Sequence, residues 1–180
     1  MIEMQATEEV AKEHPMRTIR LEKVTVHMGV GKSGEELDRA KKILEQLTGR
    51  KPATRPAKQT LKDFGIREGE PIACLVTLRD QDAMDFMKRA LDAVNNKIKE
   101  SNFDAHGNFA FGIKEHIEIP GTKYVPELGI VGLDVIATIE RPGYRVKRRR
   151  IRSAPVGKKH IVTKQEAIEF VKHNFRVEVA

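Results

Sequence analysis

The chain has 180 residues, 39% of them apolar and 33% charged, with a net charge of +7. That length supports one domain with a real core, and the charge balance favours a polyanionic partner. No stretch approaches the roughly 20 apolar residues of a spanning helix, and a single cysteine, Cys74, excludes an intrachain disulfide framework and fits a reducing cytosol.

Met1–Pro15 carries four Glu and no hydrophobic run. It reads as a flexible arm, residues 1–16, and not as a signal peptide, leaving 17–180 as a single domain. Thr18–Met28 is rich in β-branched residues, and its alternation shifts phase at Glu22-Lys23, which predicts a bulge within one strand. Beyond the shift, Val24 and Val26 face one side, and Thr25 and His27 the other. Gly29–Gly34 is a turn. Ser33 and Glu36 have capping-box spacing, Leu37, Ala40, Leu44 and Leu47 follow at helical spacing, and Gly49 ends the helix.

A basic loop, 50–64, comes next. Pro52 and Pro56 predict an extended, irregular first half, and Thr60–Ile66 has the makings of a strand. Ile72–Leu78 is a strand apolar on both faces, with Cys74 a buried, inert thiol. Asp80 or Asp82 is positioned to cap a helix whose apolar stripe is Ala83, Phe86, Met87, Ala90, Leu91, Val94 and Ile98. Ser101–Gly112 reads as a loop whose Phe103, Phe109 and Phe111 pack in the core.

Ile113–Ile119 alternates as a strand should. In Ile130–Glu140, Leu133, Val135, Ala137 and Ile139 share one face, opposite Asp134, Ile136, Thr138 and Glu140. Arg141-Pro-Gly-Tyr144 has the type II turn pattern. Thr163 and Glu166 form a second capping box, opening a helix over 164–175 that buries Ile168, Val171 and Phe175. About five strands and three main helices define an α+β class: a mainly antiparallel sheet with helices on one face, a free face, a long basic loop and a basic C-terminal segment.

The charge is not spread evenly. Arg141–His160 contains nine Lys and Arg and no acid, and Thr48–Arg67 contains six and one acid. These two stretches carry +14, so a whole-chain charge of +7 leaves −7 for the other 140 residues. Single-sign blocks repel themselves and call for an opposite partner. Nucleic acid supplies one, because each neutralised phosphate releases condensed counterions. Arg148, Arg149 and Arg150 are accordingly expected to serve RNA and not the core.

Catalytic constellations are weak. Gly31-Lys32-Ser33 lies between a strand and a helix, as a phosphate-binding loop would, but the first glycine of that motif falls on Val26 in mid-strand. The plain reading is a tight turn with Ser33 as helix cap. None of His14, His27, His106, His116, His160 and His173 forms a metal-binding pair, and no cofactor is implied. Nothing pairs Glu115, Glu118 and Asp134 as acid and base. The reading is therefore not an enzyme, and no small-molecule substrate or membrane partner is expected.

Several motifs stand in an order and spacing that resemble one known family. They are Gly29-Val-Gly, Leu47-Thr-Gly-Arg-Lys-Pro52, Ala57-Lys58, Phe64-Gly-Ile-Arg-Glu-Gly69, Val76-Thr-Leu-Arg79, Gly107-Asn-Phe109, Gly112-Ile-Lys-Glu115 and Gly132-Leu-Asp134. The family is the universal large-subunit ribosomal protein five. The likeness is close over Arg17–Glu140, and Arg141–Arg150 with the ending resembles its archaeal and eukaryotic-type branch.

The resemblance implies binding of 5S rRNA through the sheet face and first strand-to-helix turn, here Thr25, His27, Gly29, Gly31, Arg50, Phe64, Thr77 and Arg79, with Lys32 and Lys51 beside them. His27 and Arg50 stand where the bacterial pattern has Asn and Gln; both still donate hydrogen bonds. The basic segment adds Arg145, Lys147, Arg148, Arg149, Arg150, Arg152, Lys158 and Lys159 for rRNA. The loop around 54–63 resembles the one that reaches the P-site tRNA and an inter-subunit bridge, which points to Arg55, Lys58, Gln59 and Lys62. Large-subunit rRNA and neighbouring ribosomal proteins are the other implied partners, on the cytoplasmic ribosome. Phe64 or Tyr144 would stack on an RNA base. A generic nucleic-acid-binding module and a nucleotide-binding protein remain the alternatives.

Overall fold

Strand β1 (Arg20–Gly29) forms the centre of a five-stranded sheet and runs antiparallel to both its neighbours. The structure, a computed structural model, describes residues 14–179, so most of the expected arm lies outside the described residues. The chain continues as α1 (Glu35–Thr48), β2 (Ala53–Pro56), β3 (Pro71–Leu78), α2 (Asp80–Ala93), β4 (Lys97–Ile98), β5 (Phe109–Ile113), β6 (Leu133–Glu140), α3 (Arg145–Arg148), α4 (Lys164–Phe175) and β7 (Glu178–Val179). The sheet order is β2-β3-β1-β6-β5, every pairing antiparallel, while β4 and β7 form a separate parallel pair. This is the α+β architecture read from the pattern.

The period-two pattern explains the two faces. Val24, Val26 and Met28 lie opposite Leu78, Val76 and Cys74 on β3, and Val24 and Val26 lie opposite Ala137 and Val135 on β6. All are buried and meet Leu37, Ala40, Ile43, Leu44 and Leu47 of α1 and Ala83, Phe86, Met87, Ala90 and Leu91 of α2. Ala167, Val171 and Phe175 of α4 join the same core, and Ile168 is half-buried. Phe103, Phe109 and Phe111 stack in series, with centroids 5.0 and 6.3 Å apart, inside it. Burial pushes the Cys74 thiol up to about 11, so it stays protonated and inert.

The predicted bulge is present: the β1–β6 register shifts between Leu21 and Lys23, leaving Glu22 without a ladder partner. Gly49 ends α1 in the left-handed conformation, and Thr163 and Glu166 form a complete capping box.

Several local expectations need correction. Ser33 does not cap α1; Gly34 holds the cap position, and the Ser33 hydroxyl donates instead to Glu70, 37 residues on. Asp80 and Asp82 do not cap α2. Asp80 sits at φ +52°, and Asp82 accepts from Arg50 Nε at 3.1 Å. For Ser33 and Asp82, a long-range partner competes successfully for a short polar side chain.

Ile98 is buried, but in β4, because Asn95 and Asn96 turn the chain left-handed just after α2. The 53–56 segment is extended, as expected, and pairs with β3 as an edge strand whose register shifts between Arg55 and Pro56. Proline is tolerated there because an edge strand does not need every donor. The second half of the loop keeps only one bridge, Leu61 to Ile66, around a 3-10 turn at Lys62–Phe64. The strand expected over 113–119 ends at Ile113, and His116–Glu118 is a 3-10 turn instead.

Candidate nucleic-acid interface

The second face of the sheet keeps most of its residues partly or fully exposed, with the stretch that includes α3 lying only against its Lys23–Thr138 end. Along β1 the half-buried Lys23, Thr25 and His27 lie on this face, with Thr25 opposite Thr77 on β3 and Ile136 on β6. His27 Nδ1 is 3.4 Å from Asp134 Oδ2, its partner in register. Opposed residues share a face, so Arg55, opposite Ala73, also belongs here. Thr25, His27 and Thr77 thus come together as expected. Lys23, Asp134, Ile136 and Thr138 lie on the same face, as do Leu75, Ala110 and Gly112; their period-two spacing with Thr25 and Thr77 was the signal for them. At its centre Thr25 and Thr77 stand beside the exposed Ile136, a mix of small polar and apolar groups suited to close approach by a nucleic-acid backbone or base.

The turn after β1 is held by the Val30 and Gly31 amides, which both donate to the Ile72 carbonyl at 3.1 and 2.9 Å. Gly31 has φ +80°, a conformation side chains disfavour, and Lys32 is exposed to solvent.

The Ser33 bond ties this turn to the base of the 57–70 loop, and together with the Arg67 amide it holds the Glu70 carboxyl below its ordinary value. Two backbone bonds between Ala57 and Glu70 or Gly69 close that base, and Leu61 and Ile66 exchange a pair farther out. Phe64, 73% exposed, stands with Leu61 at the tip and not among the sheet-face residues with which it was grouped, and Lys58, Gln59 and Lys62 are exposed along the way, with Arg55 exposed on the adjoining edge strand. Arg50 is committed to Asp82, whereas Lys51 is exposed.

The basic segment is fastened at two points. Arg141 Nη2 donates to Glu166 Oε1 at 2.7 Å and its Nε to the Arg17 carbonyl at 3.1 Å, which welds the turn after β6 onto the N-terminus of α4. Arg148 reaches back across the sheet end: Nη1 donates to Glu22, and Nη2 to Glu140. Arg79 donates to the same Glu22 carboxylate, and Arg20 lies 3.6 Å from Glu140.

Burial alone would raise the Glu22 carboxyl. The hydrogen bonds and charges of Arg79 and Arg148 outweigh it and hold the group below its ordinary value. The same pairing raises Arg148. Glu22 Oε2 is buried with no partner among the described residues.

Arg148 was expected in an array of free cations; its guanidinium is instead a tie to two buried carboxylates. The bulge at Glu22 explains this, since a bulge re-aims the side chain it carries, and nothing local in the sequence marks Arg148 apart from Arg149 or Arg150. The other seven cations of the segment, Arg145, Lys147, Arg149, Arg150, Arg152, Lys158 and Lys159, are exposed and make no ion pair among the described residues.

An open sheet face, a projecting loop and a pinned ribbon of unpaired cations make the kind of surface that a polyanion-binding protein presents. Comparison with known proteins narrows the class. The family model described as ribosomal protein L5 matches residues 14–67, and the model of the C-terminus of the same ribosomal family matches 71–172. The chain is 53% identical to the large ribosomal subunit protein uL5 of Pyrobaculum aerophilum over 94% of this chain and 95% of the relative. It is 52% identical to that of Sulfurisphaera tokodaii, over 92% and 94%, and 49% identical to that of Nitrosopumilus maritimus, over 93% and 97%. This chain belongs to the ribosomal protein L5 family, whose members are structural parts of the ribosome.

Proposed function

We propose that the chain is a structural constituent of the large ribosomal subunit that binds 5S rRNA and helps anchor it in the central protuberance of the cytoplasmic ribosome. The observation that carries this reading is the pairing of an open face centred on Thr25 and Thr77 with seven exposed cations in 145–159 that make no ion pair among the described residues. Phosphate contacts from those cations fix register, while the open face, with Thr25 and Thr77 beside Ile136, fits the shape of a folded RNA. Thr25, His27, Gly29, Gly31, Lys32, Lys51 and Thr77 are its sheet-side contacts. Arg50, Arg79 and Arg148 act chiefly by holding the protein's own carboxylates. Large-subunit rRNA and adjoining ribosomal proteins take the remaining surface.

The 57–70 loop supports a second contact, with P-site tRNA and across the subunit interface. Its base is closed by backbone bonds, so Lys58, Gln59, Lys62 and Phe64 are presented on an ordered projection. A gel shift with purified 5S rRNA across a salt series, competed by random duplex RNA, tests the main reading. Preferential, salt-sensitive retention is expected. Equal competition by random duplex points to a generic nucleic-acid-binding module, and no shift at low salt removes the proposal.

A further inference from the structure

Between the end of the open sheet face and the 144–161 stretch lies a cleft of about 380 Å³, within the range of small-ligand sites. We propose that this cleft receives a single unstacked nucleotide of the bound RNA, with the base against Tyr144 and its phosphates on Lys23 and Lys147. The proposal rests on the RNA-binding reading above and adds to it one defined nucleotide site.

Three features of the cleft carry it. Its walls are flat and apolar where a base would lie: Tyr144, Pro155, Val156 and Ile161 line it. Tyr144 is fixed in place, because its hydroxyl accepts from the Val162 amide at 3.2 Å and donates to the His160 carbonyl at 3.5 Å. A ring held by its polar end loses little freedom on stacking, and base–aromatic stacking contributes about 1–3 kcal/mol per base.

Second, the rim carries polar groups suited to a base edge. Asn108 donates its amide to Asp104 at 2.7 Å, which leaves its carbonyl oxygen as an acceptor. A carboxylate partner accepts only, so the amide orientation follows from chemistry. His106 and Thr138 line the same rim. An acceptor there suits bases that present an exocyclic amine.

Third, the charge around the cleft is sorted. The carboxylates in its wall, Glu22 and Glu140, are both occupied by Arg148. Lys23 and Lys147 form no ion pair among the described residues. The net field at the mouth is therefore positive, as a phosphodiester requires. An apolar peptide side chain would use the walls but not these two lysines, which is why a nucleotide is the better occupant.

The test is an NMR titration of the full chain with adenosine 5′-monophosphate, with ribose 5-phosphate as the base-free control and 5S rRNA retention measured in parallel. Saturable shifts at Val156, Ile161 and Tyr144 are expected with the nucleotide and not with the sugar phosphate. Val156→Trp exchanges one wall side chain for a bulk that fills the cleft and should weaken the nucleotide about tenfold, the scale of one lost stack, at an unchanged melting temperature. Tyr144→Phe keeps the ring but frees it from Val162 and His160, and should weaken the nucleotide less than Val156→Trp does.

Equal shifts from both ligands, or shifts confined to Thr25 and Thr77, would overturn the cleft assignment while 5S rRNA retention leaves the wider reading standing. Loss of nucleotide binding and of 5S rRNA retention together in the unaltered protein would overturn both.

Discussion

The Arg148 guanidinium lies against the Glu22 carboxylate, Nη1 to Oε1 at 2.5 Å, although 126 residues separate them in the chain. Glu22 is held almost wholly inside the protein, with 6% of its side chain exposed, while Arg148 is half exposed. The arginine therefore, with Arg79, neutralises a charge that has little access to water, and it pins the start of the cationic ribbon at the sheet end.

Arg148→Ala should destabilise the fold by about 1–2 kcal/mol, since each of two buried carboxylates loses a charged hydrogen bond, although Arg79 stays on Glu22 and Arg20 beside Glu140. Arg149→Ala and Arg150→Ala should each stay within about 0.5 kcal/mol of the parent, as exposed substitutions do. Chemical denaturation of the three single variants checks this, and an Arg148→Ala midpoint equal to the other two is the result that contradicts it.

Stability should fall in acid in a defined window. The Glu22 and Glu166 carboxyls are depressed from 4.5 in the fold. For Glu22 and for Glu166 alike, burial works upward and is outweighed by arginine contacts, joined at Glu166 by the Thr163 cap. A carboxyl held below its unfolded value adds stability that is complete above the unfolded value and is lost as pH falls through the folded one. The decline should therefore begin near pH 4.5 and steepen below it. Arg148→Ala, already lacking part of this linkage, should show a shallower acid slope in a melting series from about pH 7 to about pH 3.

His116 adds an earlier, smaller decline. Burial lowers its affinity for a proton from 6.5, so the unfolded chain takes up protons first and stability begins to drop as pH passes below that value. His116→Gln should flatten the upper part of the same melting series.

RNA affinity should depend on salt with a log–log slope near −4 to −5 if about six phosphates are neutralised. The double variant Arg149→Ala with Arg150→Ala should make that slope shallower by about 1.5, because two unpaired cations are lost. Filter binding between about 50 and 200 mM salt measures both, and an unchanged slope would place those arginines off the RNA.

Phe64→Ala should leave thermal stability within about 0.5 kcal/mol, because the ring is 73% exposed and stands outside the core. The proposed tRNA contact should weaken, together with Lys58→Ala and Lys62→Ala, while 5S rRNA retention stays intact. Loss of 5S rRNA binding instead would assign the loop to that RNA.

Period and charge, both local properties, made much of the protein legible before any coordinates. Alternation in β1 and β6 named the residues on each sheet face, because side chains on a strand must take opposite sides. The phase slip at Glu22-Lys23 located the bulge, and the spacing of Thr163 and Glu166 located a true cap. Where a short polar side chain had a choice, the sequence misled: Ser33 and Asp82 each had capping position and took distant partners, Glu70 and Arg50.

Sequence by itself thus determined the class of fold, the two faces of the sheet, and the concentration of positive charge in two stretches of a mildly acidic body. Tertiary structure alone decided which of those charges are free. Nine cations between 141 and 160 look alike in one dimension, yet Arg141 and Arg148 fall within reach of Glu166, Glu22 and Glu140 and become fasteners. Ion pairing is a matter of distance in space, and folding brings β1, the end of β6 and α4 together regardless of their separation along the chain.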